Sequence, residues 1–94
     1  MREVTPEELP SVIETTSKVL VDFYSPQCAP CKVLGTILEK IESDYEMIKV
    51  EVNYDMAEMF NISALPHVVI FNEGEKINEF IGLLGKSKIE DLLV

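Results

Sequence analysis

The chain predicts an α/β fold, a central mixed β-sheet flanked by helices, and two observations predict it. Between residues 18 and 61, short apolar or alternating runs trade places with stretches of helical periodicity, the pattern of strands separated by helices. From residue 67 to residue 82, two strand-like runs then follow each other across Glu73-Gly74-Glu75, a plausible hairpin turn and so an antiparallel pair. Size agrees with this: 94 residues, 47% hydrophobic, enclose one core but not two, so residues 1–94 are expected to form a single domain.

Each element has its own signal. Thr5-Pro6-Glu7-Glu8 reads as a helix start, with Thr5 as N-cap, Pro6 in the first helical position and Glu8 three residues after the cap. Pro10 would remove a backbone bond within that helix, which is therefore bent or begins later. Lys18 to Ser25 is a strand, and its near-continuous apolar character implies burial on both faces. Cys28 to about Tyr45 is a helix: Leu34, Ile37, Leu38 and Ile41 recur at helical spacing, with Glu39, Lys40, Glu42 and Asp44 largely opposite and Gly35 weakening its middle. Met47 to Asn53 alternates Ile48, Val50 and Val52 against Lys49 and Glu51, a strand with one wetter face. Asp55 to Asn61 is a short helix in which Met56, Met59 and Phe60 have core-like spacing, packing being a simpler account than a methionine-rich binding patch. His67 to Asn72 and Lys76 to Gly82 are the hairpin strands, and Lys86 to Val94 closes the chain as an amphipathic helix.

Charge and composition exclude several functions. A formal charge of −9 argues against nucleic acid or an anionic membrane as partner, because phosphate binding needs clustered Lys and Arg. Solubility explains that charge more simply than steering toward a particular partner does. No apolar run is long enough to span a membrane, and the acidic Met1-Arg2-Glu3-Val4-Thr5-Pro6-Glu7-Glu8 has no apolar segment that would suggest secretion. A cytoplasmic protein with reduced thiols is the expectation. Gly85-Lys86-Ser87 is like the end of a phosphate-binding loop, but the motif would need glycine where Phe80 stands.

The most informative stretch is Val19-Leu20-Val21-Asp22-Phe23-Tyr24-Ser25-Pro26-Gln27-Cys28-Ala29-Pro30-Cys31-Lys32, a strand that delivers a Cys-X-X-Cys pair into a helix. Residues three apart share a helix face, which brings the two sulfurs within bonding reach. The free N–H groups and partial positive charge of a helix start favour a thiolate at Cys28, the candidate nucleophile, and leave Cys31 as the candidate resolving thiol. A structural metal site usually takes four ligands, and Cys28, Cys31 and the single histidine His67 fall short of that, so no metal is expected. A purely structural disulfide closes too short a loop to restrict the unfolded chain much.

Val19 to Lys32, with Ala64-Leu65-Pro66 and Asn72-Glu73-Gly74-Glu75 downstream, resembles the thioredoxin family over nearly the whole chain. The resemblance implies the thioredoxin fold and a thiol:disulfide oxidoreductase that reduces protein disulfides, Cys28 attacking and Cys31 resolving. It implies that Asp22 is a buried acid relaying protons to Cys31, against the reading of a strand-end aspartate pointing to water. It implies a cis bond before Pro66, with the backbone of Leu65 pairing with substrate and Gln27, Ala29 and Pro30 around it. Lys49 aligns with a lysine often near the acid, and His67 follows the proline where threonine is usual; both are candidates for tuning the thiols, Lys49 being nearly as readable as an exposed strand lysine and His67 as a residue pointing into the sheet or to solvent. Gln27, Tyr24 and Ala29 depart from the commoner tryptophan, tryptophan and glycine, and the kinking proline often found near Thr36 is missing. No bound cofactor is implied beyond the Cys28–Cys31 disulfide. The implied partners are a thioredoxin-reductase-like electron donor and disulfide-containing protein substrates, the chain acting as a monomer. A glutaredoxin-like or disulfide-isomerase-like protein, and a noncatalytic binding module on the same fold, are the alternative readings.

Overall fold

The computed structural model describes residues 1–93. In chain order these form β1 (Arg2–Glu3), α1 (Leu9–Thr15), β2 (Lys18–Tyr24), α2 (Ala29–Glu39), β3 (Glu46–Glu51), α3 (Tyr54–Met59), β4 (His67–Asn72), β5 (Glu75–Ile81) and α4 (Lys86–Leu92). Val94, which the sequence reading places in the last helix, lies outside the described residues. The strands make one sheet in the order β1-β3-β2-β4-β5. β3 is parallel to β1 and β2, whereas β4 is antiparallel to β2 and β5, so the sheet is mixed as expected.

Alternation along the central strands divides the core in two. Val19, Val21 and Phe23 of β2, Ile48 and Val50 of β3 and Val69 and Phe71 of β4 face one side, where Leu9 of α1 and Met56 of α3 cover them. Leu20 of β2 with Val68 and Ile70 of β4 face the other, where Leu34 and Leu38 of α2 and Ile89 of α4 cover them. β2 and β4 are thus buried on both faces, which is why β2 reads as a nearly unbroken apolar run. Asp22 interrupts that run on the α2 side, in register with Lys49 of β3 and Val68 of β4.

The start of α1 takes the later of the expected positions, and the largest departures are the end of α2 and the unforeseen β1. Thr5 and Glu8 do form the reciprocal cap, the Thr5 N–H donating to Glu8 Oε1 at 2.9 Å and the Glu8 N–H to Thr5 Oγ1 at 3.2 Å, but the regular helix starts at Leu9. That later start places Pro10 in the first turn, where its missing N–H has no intrahelical partner to lose. α2 ends at Glu39 rather than near Tyr45: the Lys40 and Ile41 N–H groups tighten onto Ile37 O and Leu38 O, both at 3.1 Å. Ile41 and Tyr45 nevertheless stay buried in the α2-side core, which is why helical spacing persists past the helix. β1 was not foreseen, since two residues carry no periodicity.

The hairpin turn has φ of 52° at Glu73 and 80° at Gly74, the twist that suits a two-residue connection. A bulge then shifts the β4–β5 register, so that Phe71 opposes Lys76 but Ile70 opposes Asn78 and His67 opposes Ile81.

Candidate active site

Three loops meet at one end of the sheet. β2 runs into 25–28 and α2; β4 begins just after Leu65-Pro66, with His67 opposite Phe23; and β5 ends beside it, the Gly82 N–H donating to Pro66 O at 2.8 Å. Gly82 has a φ of 86°, which lets the chain leave the sheet at that point. The Leu65-Pro66 bond is cis, as the resemblance implied.

Cys28 is the N-cap of α2, with extended backbone at φ −96° and ψ 105°. Its N–H is held by Ser25 O at 3.1 Å, and its Sγ accepts the Cys31 N–H at 3.2 Å, so the sulfur occupies the place of a capping oxygen. A thiolate in that place would gain a hydrogen bond and the favourable end of the helix dipole. Cys28 and Cys31 form a disulfide with their Cα atoms 5.3 Å apart. Cys28 is half-buried and ringed by exposed Gln27, Ala29 and Pro30; Cys31 is 4% exposed. Pro30 lies in the first turn of α2, where its lack of an N–H does no harm.

Beneath Cys31 lies a cavity of about 310 Å³ whose lining includes Asp22, Tyr24, Cys31, Gly35, Glu39 and Lys49. Asp22 is 1% exposed, and its Oδ1 has no hydrogen-bond partner among the described residues. Burial raises its carboxyl to about 7, and the nearby Lys49 ammonium opposes that rise only in part. The reading of Asp22 as a strand-end aspartate in water is therefore overturned. Lys49 lies with its ammonium 5.3 Å from the centre of the Tyr24 ring, and the Tyr24 hydroxyl donates to Glu3 Oε2.

His67 is directed elsewhere. Its neighbour Val68 takes the α2 face, so alternation sends the imidazole to the opposite face, edge-on to Phe23 with ring centroids 6.5 Å apart. There Nε2 meets Glu79 Oε2 at 2.9 Å, and Lys76 holds the other Glu79 oxygen at 2.7 Å. The imidazole therefore lies on the face of the sheet opposite α2.

Sequence reasoning missed Glu3, Glu79 and the exposed Ile81 and Leu83 on either side of Gly82. A two-residue strand and a bulge brought the first two into place, and neither has a signal in one sequence. The hairpin reading included Ile81 in its second strand, Lys76 to Gly82, without giving it a neighbour.

Fold and site together define a dithiol–disulfide protein: a cysteine pair capping a helix, above a buried acid, in a mixed sheet covered on both faces. The family model described as Thioredoxin matches residues 1–94. A thioredoxin of Mycoplasmoides gallisepticum is 33% identical over 99 residues, covering 99% of each chain, and one of Porphyra purpurea is 36% identical over 88 residues, covering 87% of this chain and 82% of its own. Among solved structures, a mutant thioredoxin from Halobacterium salinarum superposes with a TM-score of 0.87 at 28% identity, over 98% of this chain and 88% of that one. The chain belongs to the thioredoxin family. It is a thiol:disulfide oxidoreductase of the protein-disulfide reductase type.

Proposed function

We propose that the chain is a cytoplasmic, single-domain, general reductant of protein disulfides, with Cys28 as nucleophile, Cys31 as resolving thiol and Asp22 as proton carrier. The observation that carries the division of labour is the placement of the pair: Cys28 half-exposed at the cap of α2, Cys31 buried against the cavity it shares with Asp22. The Cys28 thiolate attacks one sulfur of a substrate disulfide, forming a mixed disulfide and expelling a substrate thiolate that takes up a proton. Asp22, ionised, accepts the Cys31 proton through the cavity. The Cys31 thiolate then attacks the Cys28 sulfur and expels the second substrate thiolate, which is protonated in turn. Two electrons have moved from the dithiol to the substrate, and the chain is left with its Cys28–Cys31 disulfide.

A thioredoxin-reductase-like donor would restore the dithiol, because each turnover leaves the chain with its Cys28–Cys31 disulfide. Gln27, Ala29 and Pro30, exposed beside Cys28, would form the substrate surface together with Leu65 and Pro66, the Leu65 backbone pairing with an extended segment as an added strand does. Recognition of backbone rather than side chains makes substrate choice broad. The test is reduction of the interchain disulfides of insulin with dithiothreitol as donor. Catalysis well above dithiothreitol alone is expected, and a rate equal to it would end the reading.

A further inference from the structure

The sheet register lines up Glu3 of β1, Lys49 of β3 and Asp22 of β2, a cation between two carboxylates on neighbouring strands. Directly opposed residues have Cβ atoms about 5 Å apart, within reach of an ion pair on either side. Lys49 would then be shared, or drawn to Glu3, because Glu3 is exposed and its carboxylate is free to turn. The structure shows another arrangement. Tyr24, two residues beyond Asp22 and so on the same face, donates its hydroxyl to Glu3 Oε2 while its ring carries the Lys49 ammonium. Among the described residues Lys49 forms no ion pair.

We propose that the Tyr24 hydroxyl positions Lys49 for Asp22 by holding the Glu3 carboxylate away from the ammonium, making Tyr24 and Glu3 positioning residues for proton transfer at Asp22. The proposal deepens, and for its catalytic meaning rests on, the reading of Asp22 as proton carrier. Other groups line the cavity or share this face: Cys31, Lys32 and Glu39 from α2, Met1 from the chain start and Glu51 of β3, in register with Tyr24, while β4 presents apolar Val68. Of these charges Lys49 is the one whose field visibly opposes the desolvation of Asp22. Partial burial, then the Glu3 hydrogen bond, holds the Tyr24 phenol up at about 12, so it remains a donor throughout the physiological range.

The test uses the oxidised full chain with carbon-13-labelled aspartate, following the Asp22 carboxyl by NMR against pH in wild type, Tyr24→Phe and Glu3→Gln/Tyr24→Phe. Tyr24→Phe keeps the ring and frees Glu3 to pair with Lys49, so the Asp22 midpoint is expected to rise by about half a pH unit or more. In the double variant Glu3 carries no charge to draw Lys49 away, and the midpoint is expected to return to wild type or below. A Tyr24→Phe midpoint equal to wild type overturns the proposal, as does a raised midpoint that the second substitution fails to restore, which would point to ring packing. The pH profile of disulfide exchange by the reduced proteins separates this from the function it rests on. A profile that follows the carboxyl supports both; a carboxyl that moves as expected beneath an unmoved profile supports the positioning of Lys49 and refutes Asp22 as proton carrier.

Discussion

Asp22→Asn converts the buried acid into a measurable slope of stability against pH. The unfolded chain releases the Asp22 proton near the ordinary aspartate value of about 3.9, whereas the folded chain holds it to about 7. Between these values the native state binds the extra proton, so unfolding becomes easier as pH rises. The interval is about three pH units at about 1.4 kcal/mol each, a loss of about 4 kcal/mol complete once pH passes the folded value. Glu8, Asp44 and Glu79, whose carboxyls are held below the usual range, contribute with the opposite sign, at pH values under the window that matters. The assay is urea unfolding of oxidised wild type and Asp22→Asn at intervals from pH 4.5 to 8.5, taking the difference between the proteins so that every other titration cancels. That difference should widen in favour of the variant by up to about 4 kcal/mol across the window and then level off. A constant offset would report only the fit of the amide in a site that offers Oδ1 no partner. Parallel curves would therefore refute the placement of a protonated acid under Cys31, and the variant should also exchange disulfides more slowly.

Two further outcomes are expected. In the reduced protein near neutral pH, iodoacetamide should alkylate the half-exposed Cys28 well before the buried Cys31, read by peptide mass spectrometry, and Cys31→Ser should trap substrates as mixed disulfides; earlier labelling of Cys31 would reverse the roles. Gly35→Ala should stabilise α2 by about 0.5–1 kcal/mol in urea unfolding, because an added Cβ meets no atom within 4 Å and the helix interior loses glycine's entropy; a loss of stability would show that the cavity wall at Gly35 does not tolerate the methyl group.

Most of the fold was legible because the central elements are set by local periodicity. Val19-Leu20-Val21 reads as a doubly buried strand and His67 to Asn72 as a hairpin strand from their apolar composition, and the Cys28–Cys31 spacing needs only helix geometry to bring the sulfurs together. Helix ends were less legible: Ile41 and Tyr45 keep a helical rhythm because they are buried by tertiary packing after the helix has stopped.

Charge partnerships were decided by tertiary structure. The buried acid at Asp22 was implied by the resemblance, whereas its proton affinity is set by burial in the folded core and moderated by Lys49, placed beside it by pairing between strands separated by the whole of α2. The same pairing carried one strand further brings in Glu3, from a β1 too short to announce itself, and gives the Tyr24 hydroxyl its acceptor. The partner of His67 was set by the bulge in β5: in an unbroken hairpin Phe80 would oppose it, but the extra residue puts Ile81 there and turns Glu79 onto its face. Periodicity is a property of neighbours along the chain and survives in the sequence. Register and bulges are properties of neighbours across strands, set by which arrangement best fills the two faces of the sheet, and only the folded chain reveals them.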